Sequence, residues 1–172
     1  MNNPENGKEF LMRARVAGAV FSLFVLSVLV TLANAKVTIT LDFSKGDLEY
    51  PNGFQLTDQY MDQGILFVGG AQENIVVSGM VYNPHVAFLQ TVSEVTVVIV
   101  DQNDHPQTHS LVAYDTDGVL IDKHLHHAQY TESGEGSIFT LRLKYSDGIS
   151  EIFTTAEPPG AQLVRSISYT LK

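Results

Sequence analysis

The residues with the densest potential chemistry are six histidines in a 172-residue chain that has no cysteine. They are His85, His105, His109, His124, His126 and His127. Three fall within "KHLHHA", residues 123–128. Side chains alternate along an extended strand, so His124 and His126 share one face and His127 takes the other. Two imidazoles so placed, with His105 or His109 as a third donor, have the chemistry to hold zinc or copper. Neither an H-E-x-x-H helix nor a Cys partner accompanies them. The plainer reading is a polar strand edge facing solvent. Under either reading, an imidazole's charge responds to mild acid.

Other reactive patterns are weaker. "DTDG" at 115–118 has the look of a calcium loop. An EF-hand needs Gly at loop position 6 and Glu at 12. With Asp115 first, Gly118 comes fourth and His126 twelfth, so the spacing describes a hairpin turn instead. No G-x-S-x-G elbow is present, and "VSGM" at 77–80 is not one. Glycoside hydrolysis needs two facing carboxylates. The chain offers 19 acidic residues, so spacing alone singles out no pair.

The elements that must position these residues read as strands. "KVTITLDF" alternates Val37, Ile39, Leu41 and Phe43 with Thr38, Thr40 and Asp42, a period of two. Nine further segments, filled with β-branched and aromatic residues, are strand candidates: 64–69, 74–79, 85–90, 94–101, 109–115, 118–125, 137–145, 149–156 and 163–171. Turn chemistry separates them at "PNG" 51–53, "DQNDHP" 101–106, "DTDG" 115–118, "SGEG" 133–136, "SDG" 146–148 and "EPPG" 157–160. No apolar pattern of helical period runs for three turns after residue 35. The fold class expected is all-β: a single-domain β-sandwich or jelly roll.

The first 35 residues differ. Arg13 and Arg15 precede the apolar run "VAGAVFSLFVLSVLVTL" from Val16 to Leu32, and "ANA" follows at 33–35. A basic flank, an apolar stretch and an A-x-A site describe a signal peptide over 1–35, cleaved after Ala35, with export to the periplasm or outside. The alternative is an uncleaved membrane anchor, for which the run is at the lower length limit. The domain is then 36–172, the size of one ordinary core. The whole chain carries −9, and loss of Lys8, Arg13 and Arg15 against Glu5 and Glu9 makes the remainder more acidic. That charge disfavours nucleic acid, which needs clustered Lys and Arg. Contact with a membrane is expected only through an uncleaved signal. Without cysteine, no disulfide holds the domain in an oxidising compartment.

Three segments together resemble the galactose-binding-like jelly-roll domains of secreted bacterial proteins. They are "VTITLDF…GFQLTDQYMDQGILFVGG", "EVTVVIVD…HSLVAYDTDGVLIDKHLH" and "GISEIFTTAEPPGAQLVRSISYTL". Tyr60, Gly64, Ile65 and Phe67 match that family's "Y…GV.F" element. Ala113, Tyr114, Asp115, Asp117, Gly118 and Val119 match its central hairpin. The resemblance implies a non-catalytic module for carbohydrate or another extracellular ligand, glycan or protein, and a structural calcium. Asp42, Asp47, Asp58 and Asp62 are the candidates for an ion held by the first loop. Related domains often end in an "IDNL"-like strand whose Asp helps hold that ion. Here the strand reads "VRSISYTL", with Ser166 and Ser168 near that place. Sugar binding calls for exposed aromatic faces. Trp is absent, so Tyr60, Tyr82 and Tyr130, in or beside loops, are the candidate platforms. The same tyrosines could instead cap the core with a wet hydroxyl. Two other classes stay open: a small secreted hydrolase with paired carboxylates, and an envelope structural or interaction protein.

Overall fold

The computed structural model describes residues 36–43, 50–102, 105–128, 137–157 and 162–172. The signal-peptide expectation, Asp47 and Tyr130 lie outside them. Among the described residues, nine antiparallel strands follow in chain order: β1 Thr38–Asp42, β2 Ile65–Phe67, β3 Ile75–Val77, β4 Met80–Tyr82, β5 His85–Asp101, β6 Gln107–Tyr114, β7 Leu120–Ala128, β8 Ser137–Glu157 and β9 Gln162–Leu171. All belong to one hydrogen-bonded sheet of nine strands. The sheet is folded over into two layers because β5 and β8 serve in both. In one layer, β1 and β4 pair with β9, β9 with the second half of β5, and that half with the first half of β8. In the other, β2 pairs with the first half of β5, which meets the second half of β8, then β6, then β7. The chain is the all-β sandwich expected.

Between the layers lies one apolar cluster. Val95, Val97, Ile99, Leu141, Ile149, Ile152, Val164 and Ile167 are fully buried in it. Each such side chain contributes about 1.5–3 kcal/mol relative to exposure. The alternation read from the sequence sets which residues enter. In β5, Val86 and Phe88 point inward from even positions, but Val95, Val97 and Ile99 do so from odd ones. In β8, Leu141 and Leu143 point inward, then Ile152, Thr154 and Ala156. A change of phase within one strand requires extra residues that turn the chain over. The pairing of β5 with β8 supplies them, with register shifts between Ala87 and Val92 and again between Val92 and Glu94.

The structure therefore corrects the segment boundaries. The stretches 85–90 and 94–101 are one bent strand, and so are 137–145 and 149–156. "SDG" at 146–148 is not a turn between strands but a bulge inside β8. The sequence also gave no sign of β4, which forms a tight hairpin with β3 through Ser78 and Gly79. "DTDG" is the hairpin turn anticipated: the Asp115 Oδ1 accepts from the N–H groups of Asp117 and Val119, each at 2.9 Å.

The first long loop ends in a 3-10 turn, Met61–Gln63, that leads into β2. The hydroxyl of buried Tyr169 donates to the Gln63 carbonyl and pins that turn to β9. Burial, with the Asp62 carboxylate nearby, holds this phenol above its ordinary pKa. Tyr60 lies nine-tenths buried, with its ring 5.9 Å from that of Phe43 and 5.8 Å from that of Phe67.

Gly148 marks the bend in β8, at φ +108°. A methyl there would stand 2.9 Å from the Thr91 Cβ on the bend of β5. Gly148→Ala is expected to cost about 1–3 kcal/mol in chemical unfolding. Adding Thr91→Ala should recover little of that loss, because alanine keeps the Cβ at 2.9 Å, removes only the hydroxyl at 3.2 Å and leaves the φ strain.

Candidate functional site

Phe153 departs from the pattern that fills the core. It lies on β8 between Ile152 and Thr154, both buried, so its ring faces outward. Pairing sets its neighbours on the outer face of the second layer. His85 of β5 is directly opposite it on one side, and Glu151, two residues back on the same strand, is opposite Tyr114 of β6. These four and Glu73 line an open hollow of about 200 Å³. The ring of His85 meets that of Phe153 edge-on at 5.2 Å.

His85 stands between the two carboxylates. Its Nδ1 is 3.5 Å from Glu73 Oε2, and its Nε2 is in hydrogen-bond contact with Glu151 Oε1. A neutral imidazole can donate to one of them, and a protonated one to both. The loop bearing Glu73 is held by Asn74, which is fully buried at φ +59°. Its side-chain NH₂ donates to the Val68 carbonyl at 2.6 Å, and its Oδ1 accepts from the His85 backbone N–H at 2.7 Å. Asn tolerates this left-handed backbone better than most residues. The Gly69–Gly70 pair that ends β2 seats Glu73. The Gly70 N–H donates to Glu73 Oε2 at 3.0 Å, and a Cβ at Gly69 would lie 1.8 Å from the same oxygen.

The residues anticipated from sequence go elsewhere. Tyr60 is committed to the core, and Tyr82 is half-buried on β4, opposite Ile75 and Leu163. Asp42 lines a hollow of about 80 Å³ with Tyr60 and Gln63. Asp62 lines another of about 250 Å³, whose other walls are largely Ile39, Met61, Leu89 and Leu171. Asp58 accepts from the Thr57 hydroxyl at 3.2 Å. Among the described residues, no three His, Asp or Glu side chains are grouped to hold a metal ion. His124 and His126 do share a face, as alternation requires, and both are half-buried. His126 is paired across the strands with His109, which is fully buried 3.2 Å from Asp101. His126 stacks on Phe139 at 4.0 Å, while the His124 Nδ1 reaches the backbone of Arg142 on β8.

Glu73, His85, Tyr114, Glu151 and Phe153 were missed as a group. One signal was present: in "SEIFTT" an aromatic residue occupies a position next to a core isoleucine, on the face that also carries a glutamate. That marks a ring placed on the outside. Nothing local could have joined it to Glu73 and His85.

No family model matches the chain, and no curated protein matches it. Solved structures give loose similarities. The CBM1 of BiXyn10A in its apo form is 8% identical, with a TM-score of 0.39, over 80% of this chain and 99% of that one. An isomalto-dextranase of Arthrobacter globiformis T6, in complex with panose, is 14% identical, with a TM-score of 0.37, over 78% of this chain. The matched region is 32% of the isomalto-dextranase, so this chain spans about a third of that protein's length. The fold stands on the strand pairing alone.

Two outcomes are expected here. Gly69→Ala should displace Glu73 from His85 and cost about 1–3 kcal/mol through strain at positive φ, seen as a changed His85 imidazole NMR signal and a lowered midpoint. The second concerns acid. Burial, then the neighbouring His109, His124 and His127, lowers the His126 pKa from its ordinary 6.5, against an opposing pull from Asp101. The folded state therefore binds this proton less readily than the unfolded one, so stability is present above pH 6.5 and is lost as pH falls below it. The midpoint should fall more between pH 7.5 and pH 5 in the native protein than in His126→Gln.

Proposed function

We propose that this chain is a secreted binding module of the galactose-binding-like kind and that the outer-face hollow takes a carbohydrate. The carrying observation is the make-up of that hollow: two aromatic rings beside two carboxylates and an imidazole, on a sheet face outside the core. Aromatic rings offer apolar faces to a sugar ring, and the carboxylates and imidazole offer hydrogen-bonding partners to its hydroxyls. The volume suits a single sugar unit better than a large ligand. The adjacent strands β5, β8 and β6 hold His85, Glu151 with Phe153, and Tyr114 on one sheet face, which limits the ordering cost on binding. The basic flank, apolar run and "ANA" triplet support export, with Lys36 as the mature N-terminus.

Paired carboxylates also suit a hydrolase. Glu73 and Glu151, however, both engage His85 rather than facing each other across an empty gap. Catalysis needs one such carboxyl to give a proton to a leaving oxygen and the other to attack or to activate water. The arrangement favours binding.

Isothermal titration of the protein with a panel of oligosaccharides tests this reading. Phe153→Ala and Tyr114→Ala should each weaken binding roughly tenfold or more, about 1.4 kcal/mol, with unchanged circular dichroism. Binding that survives both substitutions would move the site elsewhere. No binding by any oligosaccharide would overturn the carbohydrate reading.

A further inference from the structure

We infer that the hollow selects an amino sugar, whose ammonium group is held by Glu73 and Glu151 beside the rings of Tyr114 and Phe153. This rests on the carbohydrate reading above and names the class of sugar.

The charge of the lining decides it. Among the described residues that line it, Glu73 and Glu151 are the two acids, His85 is the only group able to carry a positive charge, and there is neither Lys nor Arg. The site is therefore net negative whether His85 is neutral or protonated. Lys123 belongs to the same face but stands on β7, opposite Val112, which itself separates it from Phe153. A uronate or sulfated sugar would meet two like charges in a chain of net charge −9.

The hydrogen-bonding capacity points the same way. Each carboxylate turns one oxygen to His85: Oε2 of Glu73 and Oε1 of Glu151. Among the described residues, Glu73 Oε1, Glu151 Oε2 and the Tyr114 hydroxyl make no hydrogen bond to protein. An ammonium brings three donors where a hydroxyl brings one. Its bonds to carboxylates are roughly twice as strong as neutral ones. A cation near an aromatic face is further attracted by the ring quadrupole. Two rings beside two open carboxylate oxygens therefore suit a flat-faced sugar with an amine better than one with only hydroxyls. A free lysine side chain could satisfy the carboxylates but offers no ring face to Phe153.

The test is calorimetry on the full chain at a pH that keeps the amine charged. The probes are a glucosamine tetramer, its fully N-acetylated form, a neutral glucose tetramer, a galacturonate tetramer and a lysine tetrapeptide. The glucosamine tetramer is expected to bind roughly tenfold or more tightly than the N-acetylated form. The gap should narrow at about 0.5 M salt, where screening shortens electrostatic reach. It should nearly vanish in Glu151→Gln, a partly exposed position whose unchanged unfolding midpoint would show an intact fold. Equal binding of the amine and acetylated tetramers would overturn the amino-sugar inference and leave the carbohydrate reading standing. Lysine tetrapeptide binding as tight as that of the glucosamine tetramer would also overturn it. Failure of every sugar to bind would instead overturn the carbohydrate reading itself.

Discussion

The bend shared by β5 and β8 is the constraint on which the rest depends. Neither strand could serve both layers without turning at the same level as its neighbour, because the two remain paired on either side of the bend. Extra residues on β5 between Ala87 and Val92, and on β8 between Lys144 and Ile149, achieve this. The strands cross the bend with Gly148 against Thr91, a spacing that leaves no room for a methyl. The inward-facing set changes phase at that level in both strands. One continuous core then lies between two layers, with no loop needed to carry the chain across.

The same bend creates the outer face. Beyond it, β8 presents Glu151 and Phe153 outward between β5 and β6, and the start of β5 adds His85. What turns this flat array into a hollow is the loop after β2. Asn74 fixes that loop through Val68 and the His85 backbone, and Gly69 lets the Glu73 carboxylate fold close to the chain. A buried amide in a left-handed conformation thus sets the position of a partly exposed acid. The opposite side of the second layer has a different character. There His126 stacks on Phe139 and His109 meets the same ring at a tilt, at the inner edge where β7 approaches β8, a polar seam within a mostly apolar interior.

Much of the architecture was legible. Alternation in 37–43 identified a strand and put Leu41 and Phe43 on its buried face, because a residue's side in a strand depends only on its parity. The turn at 115–118 was readable because the Asp115 side chain bonds to the backbone a few residues on. By contrast, "SDG" carries the composition of a turn, yet pairing with β5 on both sides keeps residues 145–148 within one strand. β4 is three residues long and is defined by its pairing with β3 and β9, which no local pattern encodes. Tyr60 reads from sequence as either an exposed platform or a core cap. Its contacts with Phe43, just after β1, and Phe67, on β2, which only the fold brings around it, commit it to the core.

By itself, the sequence determined the fold class, most strand positions, the acidic character of the chain and the shared face of His124 and His126. These depend on local alternation, turn chemistry and composition. Only the tertiary structure decided that two pairs of segments are single bent strands, and that Glu73, His85, Tyr114, Glu151 and Phe153 meet. Those residues are brought together by pairings between strands far apart in the chain and by one buried asparagine, and no local pattern encodes which strand becomes the neighbour of which.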